Sequence, residues 1–334
     1  MNWRKIWDKA GMLVVFIILF AGCAILGKIA PYIAPYLPGT LGLQISGLEN
    51  FLTWRNMVGL ALSVCTVGMV ACTMLFCLAS GDFDISVEST VAFAGVLAAV
   101  VVNKTGSVTL GVGAGLAAGA LIGLMNGTVI AKLKINALIT TLATMQIVRG
   151  LCFIVAGGSA VGVSREAFFK LGGETCGLPN PIWITGACFV VFGLLLNKTV
   201  FGRNTLAIGG NKEAALLAGI EVDRTKILIF TLQGFMAAFA GVVLASRMTS
   251  GQPNSSAGFS LDVISACVLG GVSLSGGVGT IVGTIVGVLI MGTVQNAMNL
   301  MNVPTFYQYV ARGAILLAAV LFDQLKQKSM NAAK

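Results

Sequence analysis

Gly111-Val-Gly-Ala-Gly-Leu-Ala-Ala-Gly-Ala-Leu-Ile-Gly-Leu-Met-Asn-Gly-Thr-Val129 carries no charge and repeats glycine at 111, 115, 119, 123 and 127. A helix of about 20 apolar residues crosses a bilayer core. A four-residue glycine spacing strips one face of such a helix, so that a neighbour can approach backbone to backbone. The stretch therefore reads as a lipid-buried span built for close packing. The whole chain agrees with it: of 334 residues, 57% are hydrophobic and only 10% charged, with Gly 43 against Pro 7 and a mean hydropathy of +0.93. A soluble domain carries about 25% charged residues to solvate its surface. Soluble, disordered, collagen-like and small disulfide-stapled classes are excluded on these numbers. The chain has no His, which removes imidazole base chemistry and His-ligated metal sites. No catalytic residue, metal site or cofactor is expected. The net charge of +9 reads as loop charge that sets topology rather than as a nucleic-acid footprint.

Ten candidate spans follow, at about 10–30, 56–79, 85–103, 107–131, 135–156, 181–197, 225–246, 260–275, 277–298 and 306–323. The second and eighth read as possible discontinuous helices, and the first as a retained signal anchor. Residues 28–55, with three prolines, form a long connection. With the N-terminus inside, thirteen Lys and Arg fall on the cytoplasmic side and six on the opposite side, so both termini are expected in the cytoplasm. The eight cysteines contain no CxxC pair, and all but Cys176 lie in or beside apolar segments, as buried free thiols do.

An internal repeat is legible. Gly279, Gly283 and Gly287 repeat the ladder spacing, and Gly292-Thr293-Val294 matches Gly127-Thr128-Val129. Asp84 and Asp262 lie upstream of the ladders, with Arg149-Gly150 and Arg312-Gly313 downstream. The second block starts five spans after the first, and an odd offset inverts the unit. Expected is one all-α polytopic membrane domain over 1–334, with inverted repeats at about 56–156 and 225–323 and a cytoplasmic loop at 198–224. Inverted repeats commonly enclose a transport pathway at their interface.

Asp82, Asp84 and Glu88 crowd one corner without a basic neighbour in sequence. They read either as helix caps, Asp84 at the N-cap and Glu88 on the dipole, or as the cation site of an ion-coupled carrier. Asp262 is the mirrored cap. Arg149 and Arg312 lie within spans and need acids or carbonyls as partners. Asn126, Asn136, Thr140, Thr141, Thr144 and Gln146, then Gln295, Asn296 and Asn299, are polar candidates for the pathway or for helix–helix bonding. Hydroxyls and amides suit a neutral polyol.

In the long loop Lys198–Ile220, Gly209-Gly210 breaks the chain, Asn211 can N-cap, and Gly219 can supply a left-handed C-cap. The two-turn helix between them presents Ala214, Ala215, Leu217 and Ala218, a face small enough for a partner's groove. Glu213-Ala214-Ala215-Leu-Leu-Ala-Gly219 resembles the EAA-x-x-x-G loop of binding-protein-dependent ABC permeases. Phe201-Gly-Arg-Asn-Thr-Leu-Ala-Ile-Gly-Gly-Asn211, Gly81–Ser86, Leu138–Met145 and Ala266–Ser273 are similar to segments of the monosaccharide branch, which serves ribose, xylose, galactose and arabinose. Ile135–Gly150 and Leu244–Pro253 resemble the L-arabinose permeases in particular. The resemblance covers about residues 56–328. It implies a coupling helix that docks on a separate cytoplasmic ABC ATPase, a periplasmic sugar-binding protein, a second copy of the chain, and a bacterial inner-membrane location. Leu274-Ser-Gly-Gly277 copies an ABC ATPase signature, but the chain has no G-x-x-x-x-G-K-[ST] loop. We read it as a bend between two spans.

Overall fold

The computed structural model describes residues 3–36 and 44–332, with side chains over 11–36 and 44–321. Its helices of six residues or more, in order, are α1 Trp3–Ile33, α2 Trp54–Ala79, α3 Val87–Thr105, α4 Val108–Lys132, α5 Ala137–Ala156, α6 Asn180–Lys198, α7 Val200–Gly210, α8 Lys212–Leu217, α9 Val222–Arg247, α10 Phe259–Leu269, α11 Ile281–Leu300 and α12 Thr305–Ala332. Eight of them, α1 to α6, α9 and α11, are long and apolar enough to cross a membrane. Among the described residues the expected count of ten is therefore not confirmed. The eighth candidate is the half-length α10, and the last contributes a shorter apolar stretch at Thr305–Leu321. The second candidate is one continuous helix, α2, whose C-terminal half from Met69 onward is buried without interruption. The loop expected at 198–224 is mostly helical. α7 runs through Gly210, and the chain turns at Asn211 instead of at the glycine pair.

Local chemistry sets the ends. Gly106 closes α3 in a left-handed conformation, with its amide on the Val102 carbonyl, and Ser107 opens α4 by accepting from the Leu110 amide. Thr280 does the same for α11 through the Gly283 amide.

The glycine stripe then decides the packing. Gly111 and Gly115 lie against carbonyls of α3, while Gly119, Gly123 and Gly127 lie against the backbone of α9. Gly234 of α9 answers from the other side, against Gly119 and Gly123. A side chain at any of these positions would overlap backbone. In the second half, Gly283 and Gly287 press on Gly270 and Ala266 at the end of α10. The main core gathers on α2, with α6, α9, α10 and α11 around it. α1, by contrast, is almost entirely peripheral, and Ile17, Leu121, Ile154 and Val190 are exposed on α1, α4, α5 and α6. Such apolar faces are what membrane helices turn to lipid.

In the 28–55 connection, residues 37–43 lie outside those described. The 3-10 turn Gly47–Asn50 seats Gly47 against the Leu300 carbonyl at the end of α11. Among the described residues the strands are two short antiparallel pairs. Val161–Gly162 meets Ser250–Gly251, and Glu174–Thr175 meets Leu178–Pro179. The first pair ties the segment after α5 to the loop after α9, at the end of the bundle away from α8.

Candidate functional site

α8 is a short, deliberately ended helix. Asn211, extended at φ −158°, accepts from the Ala214 amide through Oδ1 at 2.9 Å. Gly219, at φ +79°, turns the chain out, with its amide on the Leu216 carbonyl and that of Ile220 on the Ala215 carbonyl. Glu213 stands exposed in the first turn, where the helix dipole favours an anion. Of the face expected to be presented, Ala214, Leu217 and Ala218 are exposed and Ala215 is not. Ala215 is buried against Ile208, Ile220 and Val222 of its own chain, and this contact fastens α8 to α7 and α9. Leu217, 91% exposed, and Leu216 are the knobs turned outward.

Gly209 anchors the loop to the bundle. A Cβ there would overlap the Ala79 carbonyl at the end of α2 and lie 2.5 Å from the Gly277 amide nitrogen. That amide donates to the same carbonyl at 2.9 Å. Gly276 and Gly277, at φ +85° and +77°, form the turn between α10 and α11. Sequence reasoning treated Leu274–Gly277 only as a bend. In the structure it is the seat of the Gly209-Gly210 segment, and its signal was a second glycine pair able to meet the first without side chains between them.

The acidic corner is arranged around cations distant in sequence. Asp82 Oδ2 lies 2.6 Å from Lys226 Nζ on α9. Glu88, in the first turn of α3, accepts from Arg149 Nη2 at 3.0 Å, from the Gly258 amide at 3.0 Å and from Ser260 Oγ at 3.2 Å. Arg149 also donates to the Pro253 carbonyl at 2.6 Å. Arg312 of α12 donates to Asp262 Oδ2 of α10 at 2.9 Å. Arg149 and Arg312 thus each have an acid partner within their own half of the chain. The capping expectation is corrected. Ser86, not Asp84, holds the N-cap position of α3, and Gly258, not Asp262, that of α10. Asp84 instead accepts from the Ser86 amide at 2.9 Å and hydroxyl at 2.6 Å. Burial pushes its carboxyl up to about 6, against the opposing pull of those two bonds.

The polar pathway candidates sort by their partners. Asn126 donates to Ser86 Oγ at 2.9 Å and accepts from Thr144 Oγ1 at 2.6 Å. Asp84, Ser86, Asn126 and Thr144 therefore form one buried chain of bonds from the α2–α3 connection through α4 to α5. Asn136 caps α5 through the Leu138 and Ile139 amides, and Thr140 and Thr141 donate to carbonyls of the preceding turn. Asn296 exchanges two hydrogen bonds with Asn56 of α2, and Asn299 accepts from Gln308. Gln146 is exposed on α5. Gln295 lines a cavity with Asp262 and Ser63.

Residues 56–320 match the family model described as "branched-chain amino acid transport system / permease component". The L-arabinose transport system permease protein AraH of Escherichia coli (strain K12) is 61% identical over 329 residues, covering 98% of this chain and 94% of that protein. The L-arabinose ABC transporter permease protein AraH of Azospirillum brasilense is 54% identical over 333 residues, covering 99% and 92%. The ribose import permease protein RbsC of Bacillus subtilis (strain 168) is 40% identical over 306 residues, covering 90% and 94%. No solved structure matches the chain. With a bundle of apolar helices, a capped surface helix at Lys212–Leu217 and a family match over most of its length, the chain belongs to this permease family, as a multi-pass membrane permease component of a sugar ABC transport system.

Proposed function

We propose that the chain is the L-arabinose-translocating permease of an importer in which a separate cytoplasmic ATPase supplies the energy and a periplasmic binding protein delivers the sugar. The identity with the two AraH proteins carries this reading. The chain works as a homodimer, since two ATPase domains each need a docking helix. It lies in the bacterial inner membrane with both termini cytoplasmic, as the Lys and Arg distribution favours. Residues 56–156 and 225–323 are its two inverted halves. α8, with Glu213, Ala214 and Leu217 outward, is the coupling helix.

The geometry of α8 supports a mechanical role. A push on α8 reaches α9 through Ala215 and Val222, α2 through Gly209 at Ala79, and the α10–α11 turn through Gly277. The Asp82–Lys226 pair joins the start of α9 to the segment entering α3. ATP-driven closure of the partner therefore acts on both halves at once and rocks them in alternating access. The sugar enters from the face formed by 157–180 and 247–259. Gln146 and Gln295, with Arg149 and Arg312 behind them, are the polar groups we place nearest its path. Little affinity for the sugar is needed in the permease, because selection belongs to the binding protein. Pairing of Asp82 with Lys226 and of Glu88 with Arg149 weighs against a cation-coupled carrier, whose acids must be free to exchange their ion.

Glu213→Lys and Gly219→Pro are expected to abolish L-arabinose uptake while membrane insertion is kept. Normal docking of the ATPase on both variants contradicts the coupling-helix assignment.

A further inference from the structure

The two arginine–acid pairs meet where the two halves of the chain touch, and they are not built alike. Glu88 is saturated. One carboxylate oxygen takes Arg149, and the other takes the Gly258 amide and the Ser260 hydroxyl at the start of α10. The backbone around the pair is also tied, since Ser256 donates to the Glu88 carbonyl at 2.6 Å and Arg149 to that of Pro253. The first half thus grips the 253–260 segment of the second by four bonds. Asp262, two residues beyond Ser260, has a different setting. Arg312 reaches it through one nitrogen, and the buried Nε of Arg312 has no hydrogen-bond partner among the described residues. Beside Asp262 is a cavity of about 30 Å³, walled by Ser63, Val64, Met291 and Gln295, between α2, α10 and α11. Arg312 also lies 5.8 Å from the ring centre of Tyr309, an alternative resting place for a guanidinium.

A buried ion pair is costly to break when each partner would be left without bonds, and much less so when water and other polar groups wait beside it. The cavity holds about one water, and Gln295 on its wall offers both a donor and an acceptor. From this contrast we propose that Glu88–Arg149 is the fixed joint between the halves, and that Asp262–Arg312 is the joint that parts and re-forms as the permease changes state. Asp262 and Arg312 are then positioning residues for transport, holding α12 against α10 in one state and releasing it in the other. The proposal rests on the ABC permease reading above.

The test uses the full chain with its ATPase in lipid nanodiscs, with and without sugar-loaded binding protein, and compares Asp262→Asn, Arg312→Gln, the exchange Asp262→Arg/Arg312→Asp, and Glu88→Gln. Asp262→Asn and Arg312→Gln are expected to raise ATPase turnover in the absence of binding protein and to lower its stimulation by about fivefold or more, a typical coupling between sites. Their thermal midpoints should remain near that of the parent chain. The exchange should restore stimulation to within about twofold, which loss of packing alone does not explain. Glu88→Gln should lower the thermal midpoint by clearly more than Asp262→Asn does. Parent-like stimulation in Asp262→Asn overturns the proposal, as does a midpoint lowered as far as in Glu88→Gln. If the parent chain recruits no ATPase, the permease reading fails, and the midpoint contrast still decides between a fixed and a loose joint.

Discussion

Gly209 and Gly210 are neighbours of one type in one helix turn, yet their surroundings differ. A side chain at Gly209 meets the backbone of Ala79 and Gly277, whereas one at Gly210 finds only Gly277 Cα at 4.0 Å, an ordinary contact. Gly209→Val should therefore stop uptake while Gly210→Ala retains most of it, measured as radiolabelled L-arabinose accumulation at matched membrane levels. Asn126 makes a second residue-scale case. Replacement by Ala leaves Ser86 and Thr144 without their buried partner, a loss of about 1–3 kcal/mol, visible as a lowered thermal midpoint in detergent. The cap at Asn211 and the left-handed turn at Gly219 were legible because both act within one helical turn. The partners of Asp82, Glu88 and Asp262 were not. Lys226, Arg149 and Arg312 stand far along the chain, and only the packing of helices brings them together. The same holds for Asn126 and Thr144, whose spacing suited a pathway equally well until their bonds to each other were seen.

Among the elements, α4 shows how a composition rule becomes a packing rule. Its stripe Gly111 to Gly127 is buried, while the opposite face, with Gly113 and Leu121, is open. Gly123→Ala should destabilise the bundle by about 1–3 kcal/mol, because the added methyl group meets the Phe230 carbonyl. Gly113→Ala has nothing within 4 Å and should be neutral or stabilising by up to about 1 kcal/mol. Equal effects of the two on the melting transition would contradict the backbone-to-backbone account. Hydropathy found α4 to within one residue at each end and α9 to within three, since a continuous apolar run has no competing reading. It overestimated α10, because the apolar turn at 270–275 continues the run after the helix has ended. There the left-handed Gly271 and the bend at Gly276-Gly277 decide, and those depend on what they pack against.

At the scale of the whole molecule, the proposed transport cycle has one small helix move two halves. α8 packs through Ala215 on α7 and on the start of α9, and α7 carries Gly209 onto Ala79 and Gly277; the first and second halves of the chain meet again at Glu88 and the start of α10. The family, the bundle and the capped surface helix were readable from the chain, because each is written in contiguous residues. The seat of the loop on Ala79 and Gly277 was not, because it joins three distant segments. The most direct test is ATPase activity of the chain reconstituted in nanodiscs with its ATPase subunit and binding protein. Turnover stimulated by L-arabinose-loaded binding protein, and lost in Glu213→Lys, is the predicted result. Failure of any ATPase to associate, with sugar moved by the chain alone down an ion gradient, would contradict it.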